Sequence, residues 1–230
     1  MTYKHVIIIA LHIATMPLMG ATASPVEMPQ TQEQRVESRF APLFVKITEQ
    51  LSTRQAYFLT DPVAYSLFID RNVKSLWDTE STTSALIGKA SFKALGPENR
   101  QVLVAAVDDT LLRYAFEGLD NYGGQAFEVV DVAVNKDASL GWVKVLMESP
   151  IIPDLHLDLL IKRTLIRDWS VVDIRFKGIT YVSIKKHEFR KIMEQQGIKA
   201  LIDSLKTKNS EYFHVICAQA PATLKGNAPC

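Results

Sequence analysis

His187-Glu188 is the nearest thing to a catalytic pair in this chain of 230 residues. A zinc-hydrolase helix would need a second histidine three residues beyond the glutamate, and Lys191 stands there instead. His156 sits on the polar side of an alternating segment, where an imidazole faces solvent more readily than substrate. Asp108 and Asp109 are adjacent on a helical stretch, so their carboxylates diverge and make a poor acid–base pair. Cys217 and Cys230 have only His214 near them as a further ligand type, too few donors for a zinc site. There is no G-x-S-x-G elbow, phosphate-binding loop, dinucleotide fingerprint or C-x-x-C pair. No catalytic residue, metal site or cofactor is expected, although a triad assembled from distant positions stays open.

The chain concentrates apolar surface at strand spacing instead. Val143, Val145 and Met147 alternate with Lys144 and Leu146, and Leu155, Leu157, Leu159 and Ile161 alternate with His156, Asp158 and Lys162. Val172, Ile174 and Phe176 form the next stripe, with Trp169 and Val171 across the pleat. Such stripes are usually the face on which helices pack, and pattern alone does not separate a filled core from a lined cavity.

Four strands are expected, at Ala126–Val134, Leu140–Glu148, Leu155–Leu165 and Asp168–Tyr181. Their short connections, including a tight turn near Arg167-Asp168, favour antiparallel neighbours. Helical spacing covers Arg35–Leu51, a segment opened by Asp61-Pro62, Thr79–Gly88, and a long stretch from Gly96-Pro97 to the turn Asp120–Gly124. Helices Ile184–Gln196 and Ile198–Lys206, separated by Gly197, close the chain. The expected class is α+β: a curved antiparallel sheet of about four strands with N- and C-terminal helices packed on it.

The first residues suggest a compartment. Lys4 and His5, the mostly apolar Val6 to Met19, and Ala21-Thr22-Ala23 before Ser24-Pro25 read as a signal peptide over residues 1–23. An uncleaved anchor is the alternative, but the run is shorter than the ~20 residues a span needs. Residues 24–210 would form one domain, and residues 211–230, with Ala218 to Pro229 rich in Ala, Pro and Gly, a flexible tail. In an oxidising compartment Cys217 and Cys230 could pair, two free thiols being the other reading. The formal charge is +1, and Lys4 is the leader's only formally charged residue, so the exported chain is neutral. It therefore has no general electrostatic claim on nucleic acid. Lys185, Lys186, Arg190 and Lys191 are either a solvated helix face or a pocket rim and docking surface.

Several segments resemble the MlaC family of periplasmic phospholipid-binding proteins, also called toluene-tolerance proteins. They are Asp61-Pro-Val-Ala-Tyr-Ser-Leu-Phe-Ile-Asp70, Ala85-Leu-Ile-Gly88, Leu95-Gly-Pro-Glu-Asn-Arg100 and Leu119-Asp-Asn-Tyr-Gly-Gly-Gln125. Further on, Trp169-Ser-Val-Val-Asp173, Lys177-Gly-Ile-Thr180, Phe189 and Gly197-Ile-Lys-Ala-Leu-Ile202 keep the family's order and spacing. The resemblance runs from about Leu43 to Lys206. It implies a soluble periplasmic carrier that moves glycerophospholipid between outer and inner membranes, with acyl chains in an apolar pocket and the headgroup exposed. It also implies docking to an outer-membrane lipoprotein complex and to an inner-membrane ABC transporter with an MCE-domain subunit.

On this reading phospholipid is the ligand and the protein a monomer. Phe92, Leu111, Tyr114, Val143, Val145, Met147, Leu157, Leu159, Ile161, Trp169, Val171, Ile174 and Phe176 would line the pocket. Phe92 stands in for a tryptophan usual in the family, and Leu103 and Val107 replace aromatics of the long helix. The competing readings are an exported hydrolase of lipid-like esters and an interaction module without ligand.

Overall fold

The computed structural model describes residues 30–149, 153–164, 168–218, 220–224 and 226–230. The expected leader, residues 1–23, lies outside them, as do Leu165 at the end of the expected third strand and Arg167 of the following turn.

Thr31 starts the first helix with a capping box. Its Oγ1 accepts from the Gln34 N–H at 3.2 Å, and Gln34 Oε1 accepts from the Thr31 N–H at 2.9 Å. Helix α1 (Gln32–Thr60) is much longer than the Arg35–Leu51 stretch expected, because Val36, Phe40, Phe44, Leu51 and Phe58 keep one stripe buried along it. Pro42 lies within α1, its lost ladder donor outweighed by that burial. Asp61 serves two helices: its N–H bonds Tyr57 O at 2.9 Å, and its Oδ1 caps α2 (Pro62–Asn72) by accepting from the Ala64 N–H at 2.8 Å. A 3₁₀ turn (Lys74–Leu76), α3 (Thr79–Ile87), α4 (Lys89–Ala94) and α5 (Pro97–Asp120) follow. The short α4 was not expected, since so few residues show little periodicity.

The sheet is an antiparallel meander in the order β1 (Ala126–Val134), β2 (Leu140–Glu148), β3 (Leu155–Lys162), β4 (Ser170–Phe176) and β5 (Ile179–Thr180). The expected strand Asp168–Tyr181 is thus two strands, broken at Lys177-Gly178, whose φ values are 49° and 80°. Both centre a tight hairpin turn that needs positive φ. At Gly141 a Cβ would lie 2.7 Å from Ala133 O, so only glycine lets β1 and β2 approach there.

Two irregularities decide which side chains share a face. The β1–β2 register shifts between Val129 and Asp131, so that Val129 pairs with Val145 and Val132 with Val143. Between β3 and β4, Leu160 pairs with Asp173 but Ile161 with Val171, leaving Val172 extra. This bulge corrects the strict alternation expected: Trp169 and Val171 join the core face of Ile174 instead of lying across the pleat.

Helix α6 (Tyr181–Ala218) contains the expected break at Gly197, where φ is 87° and ψ 170°. Beyond Lys206 it continues to Ala218, so the part of the supposed tail from 211 to 218 is helical. Two contacts carry it on. Asn209 is buried and bonded to Ala106 O and Thr110 Oγ1 at 3.1 Å each, and Phe213 meets the Phe116 ring at 5.8 Å. Cys217 and Cys230 are disulfide-bonded, which ties the C-terminus to the last turn of α6.

Buried apolar residues form three groups. Leu86, Leu103, Val107, Phe189 and Leu201 pack α3, α5 and α6 together, with Phe92 of α4 among them. Val36, Phe40 and Phe44 of α1 lie on Val143, Val145, Ile161 and Trp169 of the inner sheet face. Phe58, Tyr65, Phe68, Phe116 and Leu119 join α1, α2 and α5.

Candidate apolar binding site

Between the second and third of these groups the helices stand off the sheet and leave a cavity of about 680 Å³. Helix α1 supplies one wall with Phe40, Leu43, Phe44, Ile47 and Leu51, a continuous i, i+3/i+4 stripe. Tyr65, Phe68, Ile69 and Asn72 of α2 continue it, with Val73, Leu76 and Trp77. From α5 and the turn after it come Tyr114, Ala115, Gly118, Leu119, Asn121, Tyr122 and Gln125. The sheet contributes rows set by its register: Phe127, Met147 and Leu155; then Leu157 and Phe176; then Leu159 and Ile174, with Val171 beyond the bulge.

Specific contacts hold the walls apart. The Phe127 N–H donates to Thr48 Oγ1 of α1 at 2.9 Å. Trp77 Nε1 donates to Thr82 Oγ1 at 2.9 Å, while the Asp78 N–H bonds Val171 O at 2.8 Å and docks this segment on β4.

Most polar groups in the walls are satisfied by their own scaffold. Asn72 Nδ2 donates to Phe68 O and Asn121 Nδ2 to Glu117 O, both at 2.7 Å. Gln125 Oε1 accepts from the Gly123 N–H at 2.7 Å. The Tyr65 hydroxyl donates to Ala115 O at 2.9 Å, and burial pushes its pKa up, so it stays a neutral donor. The Tyr122 hydroxyl is buried without a partner among the described residues. Lys177 is the only charged residue in the lining among the described residues. Among the described residues the lining contains no Ser, Thr, Cys, His, Asp or Glu, and His156, His187 and His214 are all exposed outside it. Chemically, these walls can hold an apolar molecule.

The structure divides the residues expected to line a pocket. Tyr114, Met147, Leu157, Leu159, Val171, Ile174 and Phe176 are in the walls. Val143, Val145, Ile161 and Trp169 share the sheet's inner face but lie under the first turns of α1, where the gap is filled. Phe92 is buried in the separate α3–α6 group, and Leu111 is on a part of α5 that does not reach the cavity. The large contribution of α1 and α2 was missed. Their spacing was legible, but it read only as amphipathic packing.

None of Lys185, Lys186, Arg190 and Lys191 lines the cavity. Lys185 pairs with Glu188 at 3.2 Å. Arg190 closes the end of α3, its Nε donating to Leu86 O at 3.2 Å and a terminal nitrogen to Ala85 O at 3.3 Å. The cation at the cavity is Lys177, which was noted only as part of a family segment.

Fold and cavity together define a class: an α+β protein in which a bulged meander and a set of helices enclose an apolar chamber. Among the described residues no helix is long and apolar enough to cross a membrane. The family model described as MlaC protein matches residues 43–207, and the chain belongs to that family. Among solved structures, it is similar to the phospholipid-binding protein from Ralstonia solanacearum determined in complex with a phospholipid. The two are 19% identical, with a TM-score of 0.60 over 75% of this chain and 98% of that one. At that identity the likeness is one of fold.

Proposed function

We propose that this protein is a periplasmic phospholipid carrier that takes acyl chains into the α1–α2–α5–sheet chamber and performs no catalysis. The observation that carries the reading is the cavity of about 680 Å³ in which Lys177 is the only charged lining residue among those described. The cleft opens to solvent, so its apolar walls stay in contact with water until an apolar ligand covers them. Water is a poor occupant, because the lining's polar groups are mostly engaged already. An acyl chain suits it. At ~0.8 kcal/mol per buried methylene, about 15 methylenes contribute on the order of 12 kcal/mol with no directional contact. Membership of the MlaC family and the fold shared with a phospholipid-bound protein support the same ligand class.

On this reading residues 1–23 are cleaved on export and the neutral, monomeric carrier works between the membranes. It would exchange lipid with an outer-membrane lipoprotein complex and with the MCE-domain subunit of an inner-membrane ABC transporter, so maintaining outer-membrane lipid asymmetry.

Native mass spectrometry of protein purified from a bacterial host tests the central claim. Bound masses matching phospholipids are expected. Gly118→Trp and Leu157→Trp each place an indole in the chamber; Gly118 has no atom within 4 Å of where a Cβ would stand. Both should lower lipid occupancy several-fold while the melting temperature holds or rises. Repeated recovery of folded, lipid-free parent protein would sink the reading.

A further inference from the structure

We infer that Lys177 is the headgroup contact of this chamber, a cation that selects lipids carrying a phosphate and orients them with that phosphate at the β4–β5 turn; the inference rests on the carrier reading above. Among the described residues, Lys177 is the one charged residue lining a cavity otherwise walled by apolar and neutral groups. It follows Phe176, a wall residue that is 40% exposed, so this part of the lining reaches solvent. Its Nζ lies 5.5 Å from the Phe176 ring centroid, and it makes no hydrogen bond or ion pair among the described residues. The ammonium is therefore held against the cavity wall without a protein anion to neutralise it.

The backbone makes the same point independently. Lys177 has φ 49°, one of two non-glycine residues in the described chain with positive φ. With Gly178 at φ 80° it fills the centre of a turn for which asparagine followed by glycine is the low-strain solution. A lysine in the left-handed region is not what turn geometry alone selects, which is consistent with a use for its side chain.

An ionised phosphate will not enter the apolar chamber, because burying an unpaired charge costs far more than any acyl contact returns. It must stay at the edge, where a lysine is an effective point-charge partner for phosphate oxygens. Because the described lining holds no second charge, the discrimination rests on this one side chain.

Uptake from vesicles containing equal phosphatidylglycerol and diacylglycerol of identical acyl chains, read by native mass spectrometry, tests the assignment. The parent should favour the phospholipid. Lys177→Asn, whose asparagine tolerates the left-handed turn, should keep or raise the melting temperature while reducing that preference about three- to tenfold. Lys177→Glu should reduce it further, and Lys177→Arg should retain it. Uptake of both lipids by the parent with an unchanged ratio in Lys177→Asn overturns the inference and leaves the carrier reading standing. A parent that takes up neither lipid overturns both. Inorganic phosphate alone should leave the melting temperature of lipid-free parent unaltered. A Lys177-dependent rise would assign the cation to a free anion and overturn the lipid assignment.

Discussion

Asp173 shows how a single buried carboxylate can be structural without being catalytic. It is buried on β4 beside the entry to α6, and its Oδ1 accepts from the Ile174 N–H at 2.9 Å and the Val182 N–H at 3.1 Å. Burial pushes its pKa above the ordinary 3.8, and the backbone donors oppose this only in part. The sign of the linkage follows. The folded state binds the proton more readily than the unfolded chain, so the contribution is fully present below the unfolded carboxylate value and is lost as pH rises through the raised folded value. Asp173→Asn keeps an acceptor oxygen and removes the charge. It should equal or exceed the parent in stability near neutral pH, with the difference shrinking as pH falls through the raised folded value towards the unfolded one of about 4. Urea unfolding at pH 7 and pH 4 checks this; a destabilisation at pH 7 that shrinks at pH 4 would mean that the ionised carboxylate is needed. The same scale marks a limit of sequence reading. Val143, Val145 and Met147 alternate identically, yet only Met147 reaches the cavity. No property of the side chains separates them, because the difference lies in how far α1 stands from each.

At the scale of elements, helix ends account for part of the basic stretch that sequence left open. Arg190 bonds the last carbonyls of α3, and its guanidinium lies within 3.7 Å of where a Cβ on Gly88 would stand. Arg190→Ala is expected to cost about 1–2 kcal/mol, since it leaves those carbonyls without their partner, and to leave the phospholipid-to-diacylglycerol ratio unchanged. Thermal melts and the vesicle assay measure the two effects separately; a changed lipid ratio would return Arg190 to the rim. Bulges were the harder feature to foresee. Nothing in Ser170-Val-Val-Asp173 announces an extra residue, and one residue is enough to reverse the faces of Trp169 and Val171. The hairpin at Lys177-Gly178 was hidden for a related reason, because lysine is not a usual turn residue at positive φ.

For the molecule as a whole, the C-terminal segment belongs to the domain instead of trailing from it. Tyr212, Phe213 and Ile216 pack against the group of Phe58, Phe116 and Leu119, and Leu119 also lines the chamber. The Cys217–Cys230 bridge then closes a short loop across a separation of 13 residues. In the chain-entropy model a loop of this size contributes about 3 kcal/mol. Reduction, or Cys217→Ser with Cys230→Ser, should lower the urea midpoint by a corresponding amount while α6 stays helical by circular dichroism. An unchanged midpoint would show that the bridge only tethers the last residues.

The sequence by itself determined the α+β class, the succession of helices, meander and closing helices, the family and the apolar character of what must be enclosed. Each of these depends on local periodicity, caps and ordered motifs, which a single chain displays directly. Only the tertiary structure decided that the enclosed space is a cavity, that α1 and α2 form much of its wall, and that Lys177 rather than the α6 cations stands at it. Those facts depend on distances between elements far apart in the chain and on two register shifts in the sheet. Side-chain pattern is the same whether the opposing helix touches the strand or stands clear of it.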